Sequence, residues 1–273
     1  MKSPGSSKQW VTLVIALIGA LVAWFSQRDA RNSPAVPQSR SERQANEPQI
    51  PVTEDGSVTE NGRAAFDFYL LALTLHPAFC ADGHERSREC EASAHRTLVI
   101  HGLWPERTQP RTYPHDCAGP RLVLEPALQR QLEDFMPGVA DRLDEHEWRE
   151  HGTCSGLEAN RYFTRMLELA RGVDSALGGK LTTLAGGETG ARELRAAADL
   201  ASPGVGATLT FHCRTLRDAP AAHRRDAYLI EVRQCVRNNG PGGAPGSAFD
   251  CASLNRRDTG CGARFRIADA SGR

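Results

Sequence analysis

The chain has 273 residues, which is long enough for one domain of roughly 200 residues with a real core, plus terminal extras. Lys+Arg and Asp+Glu are both 33, so the formal net charge is zero. That argues against a broad basic face for sequence-independent binding to polyanions, though not against a local phosphate site. Eight cysteines, all beyond residue 79, form an even set without a CxxC pair. They read as four bridges in an oxidising compartment, with buried or metal-bound thiols as the alternative and structural zinc disfavoured.

Lys2 and Lys8 precede an uncharged apolar run from Trp10 to Phe25, the pattern of an export signal. The run is long for a cleaved signal peptide and short for a transmembrane helix. Leu21-Val22-Ala23 is a poor cleavage site, so residues 1–27 read as an uncleaved anchor ahead of a cleaved signal. Residues 28–63 carry Pro34, Pro37, Pro48 and Pro51 with few large apolar side chains, and read as a linker. The folded domain is expected over residues 64–273.

Phe66–Leu75 is apolar and aromatic, ended by Pro77, and predicts a buried strand. Cys80 to Cys90 spans a charged loop. Thr97–Ile100 predicts a second buried strand that runs into His101, placing His101 at a strand end, with Pro105 as the stop. A Pro/Gly-rich loop over 105–120 contains Tyr113, His115 and Cys117. Helical spacing follows over Leu122–Phe135, Val139–His151, Leu157–Ala170 (stopped by Gly172) and Glu188–Leu200. Ala207–Cys213 and Ala227–Val236 then alternate as antiparallel strands, and Ala263–Ile267 is a last one. Strands, helices and strands again predict an α+β domain: an antiparallel sheet with packed helices.

The stretch His146–Cys154 packs two imidazoles, two carboxylates, a guanidinium, an indole and a thiol into nine residues. If it is mostly helical, Glu147 and His151 share a face, Cys154 lies a turn beyond, and His146 is four residues from Glu150. A solvated helix end is the bland reading. Zinc hydrolysis needs two His four apart around Glu, and His146 and His151 are five apart. Gly152-Thr153-Cys154-Ser155-Gly156 fits a thiol nucleophile elbow, but an elbow follows a strand and this one follows a helix. Metal-free phosphoryl transfer by two imidazoles fits better. One His removes a proton from a hydroxyl, a second protonates the leaving oxygen, and a carboxyl manages charge. With the substrate's own 2′-hydroxyl as nucleophile, the substrate is RNA. Trp104 serves equally well as a base-stacking platform or as core packing.

Ile100-His101-Gly102-Leu103-Trp104-Pro105 and His146-Glu147-Trp148, with His151-Gly152-Thr153-Cys154, resemble the two signature segments of the ribonuclease T2 family of exported, transferase-type endoribonucleases. Phe66–Thr74 and Tyr228–Cys235 resemble the family's first and late strands. The resemblance implies an α+β, disulfide-stapled fold. It implies metal-independent cleavage of single-stranded RNA through a 2′,3′-cyclic phosphate to a 3′-phosphate, without cofactor. By matching position His151 is the expected base, His101 the acid, Glu147 the transition-state stabiliser and His146 a phosphate ligand. Trp104 is expected to stack on a base, with Glu106 and Tyr113 in the same pocket. The resemblance also brings the pairings Cys117–Cys154, Cys235–Cys251, Cys80–Cys90 and Cys213–Cys261. A monomer is expected, with a possible tether to a membrane through residues 10–25. Two positions depart from the family pattern. Glu150 stands where a phosphate-binding Lys is usual, and Leu75 where Trp is common. Glu150 is expected to favour protonated His146. An active enzyme is expected; a catalytically weakened RNA-binding member and a Cys154 thiol hydrolase are the alternatives.

Overall fold

The computed structural model describes residues 65–84, 86–91, 96–109, 113–240, 243–254 and 258–270. They lie in one compact unit, Ile50–Arg273. The expected signal and linker, residues 1–63, lie outside the described residues.

In chain order the elements are β1 (Phe68–Leu75), α1 (His76–Cys80), α2 (Arg88–Glu91), β2 (Leu98–Glu106), α3 (Pro126–Phe135), α4 (Leu143–Glu150), α5 (Ala159–Val173), α6 (Gly179–Thr183), β3 (Glu188–Thr189), α7 (Ala191–Ala201), β4 (Leu209–Arg214), β5 (Tyr228–Arg237) and β6 (Phe265–Arg266). The fold is α+β. One sheet runs β2–β1–β5–β6–β3, and β4 pairs with β5. Its pairs are antiparallel apart from a single parallel one, Tyr228 with Arg266.

β1 is buried on both faces, which is why its sequence shows no alternation. Tyr69, Leu71, Leu73 and Leu75 point into the main core with Leu132, Trp148, Tyr162, Phe163 and Met166 from the helices. Phe68 and Leu70 point the other way, onto the Cys235–Cys251 bridge and Trp104. The bridges are Cys80–Cys90, Cys117–Cys154, Cys213–Cys261 and Cys235–Cys251.

Several boundaries differ from those the sequence suggests. β2 continues through His101 to Glu106, because Pro105 pairs with Tyr69 and keeps its place in the ladder. The helix expected over Val139–His151 is two pieces. A 3-10 turn covers Pro137–Asp141, and Arg142 at φ 66° breaks the path before α4. α3 begins at Pro126, whose fixed φ suits a first helical turn, not at Leu122. Gly172 does not stop α5. The chain continues through a π turn, Asp174–Gly178, into α6. Burying Val173, Leu177 and Leu181 outweighs a glycine's helix penalty of about 1 kcal/mol. Glu188 and Thr189 are strand, paired with Arg266 and Phe265, so α7 begins only at Ala191.

Candidate active site

The site begins with an irregularity in β2. Ala72 pairs with Gly102 and Leu73 with Ile100, so His101 is an extra residue in the ladder, a β-bulge. His101 is therefore mid-strand, not at a strand end. The bulge lets Ile100 and Leu103, three apart, both reach the main core. His101 and Trp104 are left only partly buried.

Paired residues of neighbouring strands share a face. Leu70 pairs with Trp104, Ala72 with both Gly102 and Arg233, Thr74 with Glu231, and Glu231 with His212. This face thus carries Trp104, Glu231, Arg233 and His212 around small Ala72.

α4 closes the site from above. Trp148 anchors it, buried among Tyr162 and Phe163 and donating its indole N–H to the Pro120 carbonyl at 2.8 Å. Tyr162 donates to the Leu103 carbonyl, tying α5 to β2. With Trp148 inward, neighbouring Glu147 is turned onto β2 and is 1% exposed. Trp104 Nε1 donates to Glu147 Oε2 at 2.9 Å.

The helix ends at Glu150, and residues 152–155 form a 3-10 turn, so the stretch 146–154 is not one helix. His151 still donates its backbone N–H to the Glu147 carbonyl, which keeps the two side chains stacked. The turn is tight because Gly152 lies against Trp148; a Cβ there would meet the indole at 2.4 Å.

Two imidazoles flank one carboxyl. His101 Nε2 lies 3.9 Å from Glu147 Oε1, and His151 Nε2 lies 4.0 Å from Glu147 Oε2. Trp104 stands between them, its ring 5.1 Å from His101 and 5.6 Å from His151. Tyr113, 43% exposed, lies 5.5 Å from His151.

The electrostatics of the two histidines differ. Burial pushes His151 down to about 3, helped by the neighbouring imidazoles of His146, His101 and His115, so it is neutral. Burial also opposes charge on His101, but the Glu231 hydrogen bond, Glu231 and Glu147 outweigh it and raise its pKa. Glu147 is pushed up to about 7 by burial, against the pull of His101 and the Trp104 hydrogen bond. Burial works the same way on Glu231. There the hydrogen bond from His101 and the charge of Arg233 win and hold it at about 2.

The remaining expected residues are spread around this centre. His146 is exposed and lines a cleft of about 680 Å³ together with His101, His212, Glu231, Arg233 and Glu89. Arg149 donates to His146 Nδ1 at 3.2 Å, which leaves the ring proton on Nε2. Glu150 does not pair with His146 as the sequence suggests. Its carboxylate lies beside His115 and Asp116, with ligand atoms within 4.8 Å of one another. These three could hold a cation, but nothing further points to one. The grouping of His76, Cys80 and Cys90 offers no thiolate, because both cysteines are bridged. Glu106 is buried two residues beyond Trp104 on the same strand. Cys154 is fully buried and bonded to Cys117, so it has no thiol to act as a nucleophile.

Glu231 and Arg233 are not evident as site residues in the sequence. Their signal is two opposite charges, two apart, on one face of an otherwise buried strand.

The ribonuclease T2 family profile matches residues 66–242. A probable ribonuclease of Haemophilus influenzae is 31% identical over 130 residues, 43% of this chain and 47% of that protein. The chain thus spans about half the length of that relative. A ribonuclease of Aeromonas hydrophila is 31% identical over 189 residues, 67% of this chain and 78% of that one. Among solved structures, a mutant of RNase MC1 in complex with 5′-UMP superposes with a TM-score of 0.57 at 25% identity, covering 74% of this chain and 99% of that one.

Proposed function

The chain belongs to the ribonuclease T2 family; on this premise we propose that it is an endoribonuclease that cleaves single-stranded RNA with two imidazoles. His151, neutral, takes the proton of the ribose 2′-hydroxyl. The 2′-oxygen attacks phosphorus, the bond from phosphorus to the 5′-oxygen breaks, and His101 gives its proton to that oxygen. A 2′,3′-cyclic phosphate results. Water then attacks the ring with the roles exchanged: His101 takes a proton from water, and His151 returns one to the 2′-oxygen, leaving a 3′-phosphate.

The observation that carries this reading is the asymmetric pair: a neutral imidazole and a proton-rich one, each about 4 Å from the same buried carboxyl. Glu147, near 7, donates or accepts as charge shifts on the phosphoryl oxygens. His146 contributes its Nε2 proton to phosphate. Trp104 stacks on a base, and Glu106 and Tyr113 border that base's pocket. None of these steps calls on a metal or cofactor.

Four bridges in one domain support export, because such bridges persist in oxidising compartments. The catalytic domain is taken as residues 64–273, acting as a monomer, with residues 10–25 as signal or membrane tether. A second reading, a weakened RNA-binding member, draws on Glu150, whose charge raises Glu147 further.

Purified protein should cut single-stranded RNA equally well with and without EDTA, releasing cyclic phosphate first. No cleavage from acid to neutral pH would overturn the enzyme reading.

A further inference from the structure

Resting on the two-imidazole reading, we propose that Glu231 is the positioning residue of the acid: it holds Nδ1 of His101 as a donor and so turns Nε2 toward the reacting phosphate. His101 Nδ1 lies 2.7 Å from Glu231 Oε1. Glu231 divides its two oxygens cleanly. Oε2 is taken by Arg233, with Nε at 2.7 Å and a terminal nitrogen at 2.5 Å, and Oε1 is left to the imidazole. The acceptor is therefore fixed in rotation by a cation before substrate arrives, the arrangement that orients a proton-transfer group.

The placement on β5 adds rigidity. Glu231 pairs with Thr74 of β1 on one side and His212 of β4 on the other. It does not touch the reacting atoms, which lie on the far side of the His101 ring, toward Glu147. An ordinary ion pair between residues two apart on a strand would satisfy Arg233 but would not require an imidazole at hydrogen-bond distance. His101 sits at that distance because the bulge has already lifted it out of the ladder.

The charged and titratable groups facing His101 are few enough to predict a sign. Glu231 and Arg233 face it from β5, Glu147, His146 and His151 from α4 and the turn after it, His212 from β4, and Glu89 from α2. Glu231 raises the proton affinity of His101, and Arg233 lowers it. Two variants should thus move one observable in opposite directions.

The test measures the His101 titration by NMR and the alkaline limb of kcat/KM on a dinucleotide, in the wild type, Glu231→Gln and Arg233→Gln. In Glu231→Gln both midpoints should fall by about one pH unit or more. Its kcat at neutral pH should drop about tenfold, with KM within about twofold of wild type, because acid strength and orientation are lost but not binding. In Arg233→Gln both midpoints should rise. Glu231→Asp, which keeps charge but shortens reach, should hold the midpoint nearer to wild type while kcat still falls. Unmoved midpoints in folded Glu231→Gln and Arg233→Gln would reduce the pair to a structural ion pair and overturn the proposal. Should Glu231→Gln not fold, the other two variants decide. The NMR titration stands even if the wild type cuts no RNA, so failure of the ribonuclease reading is told apart from failure of this one.

Discussion

A Cβ on Gly102 would lie 2.0 Å from Oε2 of Glu147 and 2.5 Å from Nε1 of Trp104. The carboxyl at the centre of the site thus occupies the space a side chain on β2 would fill. Gly102→Ala should displace Glu147 by about 1 Å and lower kcat on the order of 100-fold. Circular dichroism should show the fold retained. A variant with wild-type turnover would show that Glu147 need not sit against the strand.

Removing the charge of Glu147 should stabilise the protein while disabling it. Its folded value of about 7 lies above the ordinary 4.5, so its contribution is fully present below 4.5 and is lost as pH rises through 7. Glu147→Gln keeps an oxygen for Trp104 and escapes that loss. By pH 8 the variant should be the more stable by up to about 3 kcal/mol, with little difference at pH 4. Denaturant melts at the two pH values check this; equal gaps at both would contradict it.

The pH–rate profile should be broad and displaced toward acid. A base held at about 3 stays neutral through the acid range, and an acid raised above 6.5 stays protonated to neutrality and beyond. The acid limb of kcat/KM should therefore fall well below 6.5 and the alkaline limb above it, with the titration of Glu147 producing a shoulder near 7. An acid limb at 6.5 would mean that burial does not hold His151 neutral.

Glu150→Lys tests the one inverted charge at the rim. The native carboxylate sits beside His115 and Asp116 and adds negative charge near Glu147. Exchange for Lys should raise kcat/KM on RNA by about fivefold to tenfold at low salt, with the gain shrinking as salt is added. A gain far beyond that would identify the native site as crippled.

Opening Cys117–Cys154 should cost about 2–4 kcal/mol, because it closes a 37-residue separation. The loop bearing Tyr113 and His115 is held to the turn after His151 by this bridge. Cys117→Ser/Cys154→Ser should therefore lose more activity than Cys80→Ser/Cys90→Ser at matched fractions folded. Equal losses would show that the tie matters only for folding.

Much of this arrangement is legible in the residues. The apolar run of β1 and the period-2 alternation of β5 each lead to the right class of element. What escapes is whatever depends on partners distant in sequence. Pro105 reads as a stop, yet it holds its place opposite Tyr69. Gly172 reads as a helix end, yet Val173 and Leu177 have a core to enter. Glu231 reads as one charge among many until His101, 130 residues away, is placed against it.

The bulge at His101 also constrains how this scaffold could be rebuilt. Downstream of it, β2 is one residue out of step with a regular strand. Straightening the bulge with every residue kept would turn Leu103 out of the core and drive Trp104 into it, whereas deleting the extra residue would keep Leu103 opposite Leu71 and remove His101. Chimeras between relatives should tolerate junctions within the loops at either end of β2, and fail at junctions between Ile100 and Gly102 that delete the extra residue.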